Sequence, residues 1–423
     1  MKIGIQTWGS NGDVRPLLAL ATGLKQAGHE VSLIVSSIDN RSYEAECRAL
    51  NVQYQQVPEH IDFDLEDFAQ RSFRKNSLQW LKALLDEAFF PSENRVYEAA
   101  QQLAAEHDLL IGHHFLYPLK LAARQSGKPF ISVTFCHAAI PDPAQPPFGF
   151  PDLGKRLNLL SWWLMERVFN WALQKPLTRL WLEAGHSTPA NMLSEHLTSQ
   201  TLNLVAVDPV FCPTHQHWPA QHQVCGFLNF TEDSDRWQMP AELTQFLADG
   251  PPPVYMTFGS VQTAVPEWSM DLFVEAVTLA GCRAVIQTSS SRYPAGTRKE
   301  QIYFIGRHPH QPVFKHCAAV VHHGGAGTTH AATRSGCPSV VIPFMDEQLF
   351  WARLLQRLKL ADRPLPAKQV NSRDLAKALK TVLERGEFRQ NAQHTSIPMQ
   401  NQTGISNAVQ LIETYIALKK EDI

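Results

Sequence analysis

The sequence lacks an excess of charge of either sign. Its 423 residues carry 38 Lys and Arg against 40 Asp and Glu, which gives a formal net charge of −2. A strongly basic surface, the electrostatic footprint of nucleic-acid binding, is therefore not expected. The sequence also lacks any apolar run approaching the ~20 residues that a membrane-spanning helix needs. We therefore predict neither a nucleic-acid partner nor a membrane-spanning helix.

Cysteine is scarce, and nothing in its spacing suggests pairing. The seven cysteines are odd in number, widely spread and never arranged as CxxC. This usage is typical of reduced thiols in the cytoplasm rather than of a disulfide framework or a zinc site. The chain begins with MKIGIQTW, without a charged and then apolar leader, so no signal peptide is expected. We predict a cytoplasmic protein with no metal site.

The pattern of apolar residues predicts an α/β protein. The length favours two domains, and the composition, 44% apolar and 18% charged, is globular. Lys2–Trp8 is a predicted strand, followed by a glycine-rich turn at 9–13, a helix over Val14–Gln26 and a second strand over Val31–Ser36. This order opens a parallel sheet.

The pattern starts again after a polar, proline-rich stretch that ends near residue 253. Predicted strands alternate with helices from there on; the strands are Val254–Phe258, Arg283–Gln287, Ile302–Ile305, Ala318–His322 and Ser339–Pro343. We therefore expect two open parallel sheets. Ligands of this fold class bind at the carboxyl edges of such sheets, and we expect a central cleft where the two edges face each other.

The segment HHGGAGTT, His322–Thr329, lies between a predicted strand and a predicted helix. Backbone N–H groups at such a helix start can bind a phosphate group, and small residues let it come close. The alternative is a tight turn with small residues for packing. Gly259-Ser260 ends another strand and could add a phosphate contact, although an ordinary turn is at least as plausible.

Two acidic positions are candidates for catalysis and sugar binding. Asp13 follows the first strand, where a carboxylate could take a proton from a hydroxyl group; the alternative is a helix cap. Asp346-Glu347-Gln348 opens a helix after the last strand, where Glu347 and Gln348 could bind sugar hydroxyls. Capping is again the alternative, because carboxylates favour helix starts.

A predicted helix over Leu157–Glu183 is rich in tryptophan, with Trp162, Trp163, Trp171 and Trp181. Core packing explains some of these residues. Four in twenty residues exceed what one helix usually places in a core, so we favour the wall of a lipophilic pocket or a surface that docks on a membrane.

Two segments together carry a family resemblance: GSNGDVRPLLALATGL, Gly9–Leu24, and the stretch His308–Ala352 that contains HHGGAGTT. The chain resembles the nucleotide-sugar-dependent glycosyltransferases of the GT-B fold, within the UDP-glycosyltransferase family. Its nearest branch holds the sterol 3-beta-glucosyltransferases and the glycosyltransferases of antibiotic biosynthesis. The implied architecture is two Rossmann-like domains facing a central cleft.

The resemblance implies roles for individual residues. Asp13 would be the catalytic base, and Glu347 and Gln348 would bind the donor sugar. The donor diphosphate would be bound by Ser260, His323, Gly325, Ala326, Gly327, Thr328 and Thr329. Arg307, His308 and His310 fall in the segment that packs against the nucleotide base, although plant members have tryptophan in place of Arg307. Trp162 and Trp163 would lie in the acceptor region.

The resemblance also implies domain limits and a reaction. Residues 1–235 would bind the acceptor, residues 236–395 the nucleotide sugar, and residues 396–423 would form a helix that crosses back onto the first domain. The enzyme would be an inverting hexosyltransferase that uses a nucleotide sugar as co-substrate, with no cofactor and no metal. UDP-glucose is the favoured donor, although deoxythymidine donors stay open. The acceptor would be a sterol-like lipid or a polyketide aglycone.

Three further hypotheses stay open from the sequence. A nucleotide-sugar epimerase could use the same fold, and so could a non-catalytic partner of another glycosyltransferase. Transient docking of the tryptophan-rich helix at the inner surface of a membrane is a subsidiary hypothesis about location.

Overall fold

The computed structural model describes residues 1–72, 75, 77–147, 150–213, 215–230, 237–259, 266–401 and 403–421. The chain divides into two compact units. The first comprises Met1–Asp64, Leu78–Phe230 and Gln402–Ile423, and the second comprises Leu65–Ser77 and Thr231–Asn401. The predicted boundary between residues 235 and 236 lies outside the described residues.

The first unit is built on a parallel sheet of seven strands among the residues described. The strands are β1 (Lys2–Gly9), β2 (Glu30–Ser37), β3 (Gln53–Gln56), β4 (Leu109–His113), β5 (Phe130–Thr134), β6 (Leu202–Val205) and β7 (His222–Val224). Their order in the sheet is β3-β2-β1-β4-β5-β6-β7. The central strands are buried along nearly their whole length, as expected for a parallel sheet covered on both faces.

The helices of this half of the chain are α1 (Asn11–Gln26), α2 (Glu44–Ala49), α3 (Leu65–Ser72), α4 (Ser77–Leu84), α5 (Glu93–Glu106), α6 (Tyr117–Gln125) and α7 (Lys155–Glu183). Short π-helical turns lie at Leu85–Phe89 and Met192–His196. Helix α1 begins at Asn11, earlier than the predicted Val14, because Ser10 and Asp13 cap its first turn.

The segment Leu65–Ser77 groups with the second unit, although sequence order assigned it to the first domain. One of its contacts there is a hydrogen bond from Lys368 Nζ to the Lys75 carbonyl, at 3.5 Å. Such a contact across 293 residues of sequence has no signature in the local pattern.

The second unit contains a sheet of six strands in its described part. The strands are β8 (Val254–Met256), β9 (Ala284–Gln287), β10 (Arg298–Lys299), β11 (Ile302–Ile305), β12 (Ala319–His322) and β13 (Ser339–Val341). Their order in the sheet is β10-β11-β9-β8-β12-β13. The pairs are parallel except for the short edge strand β10, which runs antiparallel to β11 and was not predicted.

The remaining helices are α8 (Ala241–Ala248), α9 (Pro266–Ala280), α10 (Gln311–Phe314), α11 (Ala326–Arg334), α12 (Asp346–Arg357), α13 (Ser372–Glu384), α14 (Gly386–Gln400) and α15 (Gly404–Glu421). Helix α14 continues through residue 395, which is the predicted end of the nucleotide-sugar-binding domain. Helix α15 belongs to the first unit, where Ala408 and Ile412 join the core beside α1. A Cβ at Gly23 of α1 would come within 2.2 Å of Ile405, so this packing requires glycine.

Among the helices that the structure describes, none combines the length and the apolar character needed to cross a bilayer.

Candidate active site

The Asp13 carboxylate lies in the turn between β1 and α1. Its Oδ2 accepts hydrogen bonds from the Ser10 backbone N–H at 2.8 Å and from the Ser10 hydroxyl at 3.1 Å. Gly9 has a φ of +133°, and a Cβ there would lie 2.3 Å from Asp13 Oδ2. The carboxylate therefore caps the helix and occupies space that only glycine leaves. Its side chain is 32% exposed, so it also remains open to a substrate.

Burial raises the pKa of Asp13 from 3.8 to about 6. The hydrogen bonds from Ser10 oppose this shift, because they stabilise the charged form, and the nearby charge of Asp39 adds to it. The carboxylate is therefore mostly ionised at pH 7, with a pKa close to the operating pH. A general base works best in this range.

His113 faces Asp13 and is not among the site residues that the sequence predicts. It ends β4, which pairs with β1, and its Nε2 lies 3.8 Å from Asp13 Oδ1. Burial and the neighbouring His114 hold the pKa of His113 well below 6.5, so the ring is neutral. Its Nδ1 accepts the Phe115 N–H at 3.4 Å, which leaves the ring proton on Nε2, towards Asp13.

The signal for His113 was available in the sequence. His113 and His114 directly follow the apolar run Leu109–Gly112, a pattern typical of the carboxyl end of a buried strand. The local pattern does not show that β4 pairs with β1, because this pairing joins residues about a hundred positions apart.

An apolar recess opens beside this histidine pair in the first unit. Its walls include His114, Phe115, Ile140, Pro141, Leu193 and Leu197. The polar side chains around it are Thr134, Ser194, Thr198 and His222. With a cavity volume of about 30 Å³, the recess has room for a small apolar group and not for a whole ring system.

The two tryptophans predicted for the acceptor region have different environments. Trp162 is buried, and its indole N–H donates to the carbonyls of Asp142, at 3.1 Å, and Gln145, at 2.8 Å. It thereby holds the loop that follows Ile140 and Pro141, and so supports the wall of the recess without being part of it. Trp163 is 57% exposed, with the Arg167 guanidinium 5.0 Å from its ring centre.

The glycine-rich turn of the second unit joins β12 to α11. Gly325 is the N-cap of α11, no side chain caps this helix start, and its first turn contains no acidic residue. The N–H groups of Ala326, Gly327 and Thr328 therefore have no carbonyl partner within the helix. Gly327 is exposed. Such a helix start attracts an anion through both its dipole and its free donors.

His323 lies against this turn. A Cβ at Gly325 would approach its Nε2 to 2.4 Å, and a Cβ at Gly259 would approach its Cε1 to 3.1 Å. The imidazole thus fits between two glycines, next to the free N–H groups. Burial lowers its pKa to about 4, so at pH 7 it offers a neutral N–H donor rather than a positive charge.

The other residues predicted for the diphosphate site differ in access. Thr328 is buried, and Thr329 is fully buried, with a hydroxyl that has no hydrogen-bond partner among the described residues. The Thr329 backbone N–H bonds the Gly325 carbonyl at 2.9 Å. Ser260 lies outside the described residues.

Glu347 and Gln348 stand in the first turn of α12, beside the glycine-rich turn. Glu347 is exposed, whereas Gln348 is buried and its Oε1 accepts the Phe344 N–H at 2.8 Å. This bond leaves the side-chain NH₂ of Gln348 as the donor for a ligand. A Cβ at Gly324 would come within 2.8 Å of the Gln348 carbonyl oxygen, so glycine is what allows the two turns to approach.

The three residues predicted to face the nucleotide base do not share one environment. Arg307 is exposed. His308 is buried: its Nδ1 bonds the Gly306 carbonyl at 2.8 Å, and its ring stacks on Trp237 at 5.2 Å. His310 stacks on Phe314 at 4.9 Å. Of the three, Arg307 is the side chain most accessible to a ligand.

No group of three or more His, Cys, Asp or Glu side chains that could hold a metal ion occurs within the described part of the chain.

Comparisons with known proteins show what the chain is similar to. Residues 283–412 match the family described as erythromycin biosynthesis protein CIII-like, C-terminal domain. Over 431 residues the chain is 27% identical to O-mycaminosyltylonolide 6-deoxyallosyltransferase of Streptomyces fradiae, covering 98% of this chain and 97% of the relative. It is 25% identical to sterol 3-beta-glucosyltransferase UGT80B1 of Arabidopsis thaliana, over 98% of this chain and 68% of that one.

Solved structures share the whole fold. The structure of glycosyltransferase VinC in complex with DTDP superposes with a TM-score of 0.67, at 17% identity, over 98% of this chain and 99% of that one. The chain has the GT-B fold. It is related to the sterol 3-beta-glucosyltransferases and to the antibiotic glycosyltransferases, which confirms the predicted relationship and the predicted fold. The roles of individual residues in this glycosyltransferase stay predictions.

Proposed function

We propose that this glycosyltransferase transfers a hexose, with inversion, from a nucleotide diphosphate sugar to a hydroxyl group of a lipophilic acceptor. The observation that carries the proposal is the Asp13 carboxylate, which is accessible at a strand end and has a pKa raised to about 6. A base with this pKa is ionised at pH 7 and can accept the proton of an attacking alcohol.

Asp13 acts as the general base. As the acceptor oxygen attacks the anomeric carbon, its proton passes to Asp13, and the bond from that carbon to the phosphate oxygen breaks. The electron pair leaves with the nucleoside diphosphate, and attack from the opposite side inverts the anomeric centre. Because Ser10 donates twice to Oδ2, Oδ1 is the oxygen left for the proton. The neutral ring of His113 lies beside this oxygen, with its Nε2 at 3.8 Å.

The start of α11 stabilises the leaving diphosphate. Its uncapped N–H groups and the neutral His323 are donors already in place before negative charge develops, which is how preorganised dipoles lower a barrier. Donors of this kind can do the work of a metal ion, so we propose a reaction that persists in EDTA.

Glu347 and Gln348 bind the hydroxyl groups of the donor sugar, and Arg307 packs on the nucleotide base. UDP-glucose is the proposed donor, and similarity to a sterol 3-beta-glucosyltransferase supports the choice of glucose. The DTDP found with VinC makes a deoxythymidine donor the alternative.

The acceptor is a sterol-like lipid or a polyketide aglycone. An apolar edge of it enters the small recess beside His114, while the rest of the acceptor lies outside that recess. The names of the relatives, a tylonolide transferase and a sterol transferase, support both classes.

A thermal-shift panel followed by turnover tests the proposal. UDP, dTDP and their glucose conjugates are compared with AMP as a control; a bound diphosphate raises the unfolding temperature by mass action. The preferred donor is then incubated with a sterol or a macrolide aglycone, and the product mass and anomeric configuration are determined. Absence of any shift with all four nucleotides would contradict the proposal. Conversion of the nucleotide sugar without an acceptor would favour an epimerase instead.

A further inference from the structure

The outer face of α7 carries an apolar stripe that no part of the described chain covers. Leu157, Leu160, Leu164, Val168 and Trp171 are all exposed, Trp171 to 87%. They are three, four, four and three residues apart, which places them on one side of a helix. Over the rise of an α-helix the stripe is about 21 Å long.

The opposite face of α7 explains why the helix is held in this orientation. Trp162, Phe169, Leu173 and Leu177 are buried against the first unit, and the Trp162 indole is tied to two loop carbonyls. The helix therefore presents its stripe outward as a fixed surface. An apolar strip of this length on a monomer indicates a site of interaction.

The exposed charges that α7 itself carries along the stripe are positive. Arg156 and Arg167 flank it, and Lys175 continues it towards the end of the helix; all three are exposed, and none forms an ion pair among the residues described. The one carboxylate between positions 155 and 175 belongs to Glu166, and it accepts the backbone N–H of Leu193 at 2.9 Å, so it is turned towards the protein.

We propose that the outer face of α7, Leu157–Lys175, docks this protein on an anionic lipid surface, with Leu164 and Trp171 inserted among the acyl chains and the flanking cations at the headgroups. A helix lying in the interface binds through buried apolar area together with attraction to anionic lipids, and the stripe and its cations supply both. This inference does not depend on the proposed reaction.

A second copy of the chain is the competing occupant. In a two-fold contact through this face, the cations of one copy would lie against those of the other, since such an interface is formed by the same patch on both sides. Like charges facing each other at an interface oppose association. The pattern of charge therefore favours lipid over self-association.

Vesicle flotation of the full chain tests the proposal. We expect the protein to float with vesicles of phosphatidylcholine containing about one-third phosphatidylglycerol, and at least tenfold less with phosphatidylcholine alone. Binding should weaken as salt is raised, because the attraction to the headgroups is screened. Absence of binding to the anionic vesicles at low salt would overturn the proposal.

Matched variants show whether the stripe is responsible. Leu164→Ser with Trp171→Ser should lower vesicle binding about tenfold or more, whereas Ile397→Ser, at an exposed apolar position of the second unit, should leave it unchanged. The thermal unfolding temperature of each variant is measured alongside. Wild-type binding by the double variant would overturn the proposal. The proposal would also be overturned if the wild type forms a dimer that the double variant does not form, and neither protein binds vesicles.

A charge variant keeps the test valid if the double serine variant does not fold. Arg156→Gln, Arg167→Gln and Lys175→Gln together should reduce binding about tenfold. The control with the same net charge is Arg373→Gln, Lys377→Gln and Lys380→Gln on α13, which should bind as the wild type does. Equal loss in both triple variants would assign the effect to net charge and overturn the proposal. Nucleotide binding without vesicles, measured in parallel, reports separately on the proposed function.

Discussion

The turn after β1 and the turn after β12 have a similar backbone course, but only the first contains a carboxylate at its helix start. Each leaves a parallel strand through a glycine with positive φ, at Gly9 and at Gly324, and each opens a helix. In the first turn Asp13 fills the helix start with a carboxylate. In the second turn no side chain caps Gly325 and no acid follows it.

The difference shows how one local geometry serves two kinds of chemistry. A helix start that already holds a carboxylate repels a second anion, but the free oxygen of that carboxylate can take a proton. A helix start left uncapped has donors for a phosphate group. The side chains in the turn, and not the backbone plan, decide which role each helix start can perform. The predictions below test this contrast.

The largest effect is expected from removing the carboxylate of the first turn. Asp13→Ala should lower kcat by about 10²–10⁴, because no base takes the proton of the acceptor. Nucleotide diphosphate binding, assigned to the second turn, should be unchanged. Asp62→Asn, an exposed acid of the first unit, serves as control. Steady-state kinetics at saturating substrates are the measurement; near-normal turnover of Asp13→Ala would remove Asp13 from the mechanism.

The pH dependence sharpens the assignment of the first turn. The pKa of Asp13 is raised to about 6, so the protonated, inactive form accumulates as the pH falls through 6. The value of kcat/KM should therefore be flat above pH 7 and fall about tenfold per pH unit below pH 6. Ser10→Ala, which removes a hydrogen bond to the carboxylate, should move this limb to higher pH. A profile that stays flat down to pH 5 would contradict the assignment.

Giving the second turn the charge of the first should abolish its preference for anions. A Cβ at Gly327 meets nothing within 4 Å, so Gly327→Asp should fold normally and place a carboxylate at the free helix start. We expect binding of nucleoside diphosphate to weaken about 10- to 100-fold, since like charges then meet. Calorimetry on Gly327→Asp and on the neutral control Gly327→Ala measures this. Equal affinities in the two variants would show that phosphate binds elsewhere.

The smallest effect is on stability. Because the pKa of Asp13 is higher in the folded protein than in the unfolded chain, its charge destabilises the fold above pH 6, and this penalty disappears below about pH 4. Asp13→Asn should therefore stabilise the protein at pH 7.5 by about 1–2 kcal/mol, a value reduced for the partial exposure of the side chain. The gain should vanish at pH 4. Denaturant unfolding at both pH values measures the free energy of unfolding. An equal gain in stability at pH 7.5 and pH 4 would contradict the raised pKa of Asp13.

Much of the fold followed from local pattern. The apolar periods of the strands and helices predicted two parallel sheets, and the two motifs around Asp13 and His323 predicted the GT-B relationship, which the comparisons confirm. These signals are local: a buried parallel strand is a short apolar run, and a helix start needs small or capping residues at fixed positions.

The tertiary structure decided which distant residues meet and which faces are buried. His113 lies beside Asp13 because β4 pairs with β1, and a pairing across about a hundred residues leaves no mark in the local pattern. The pKa of Asp13 depends on the burial that this packing produces. On α7 the sequence predicted an aromatic helix, but Trp162 and Trp163 are neighbours in sequence, and only packing determined that one is buried and the other exposed. The sequence by itself thus determined the elements and their chemistry, whereas long-range contacts determined the environment in which each side chain acts.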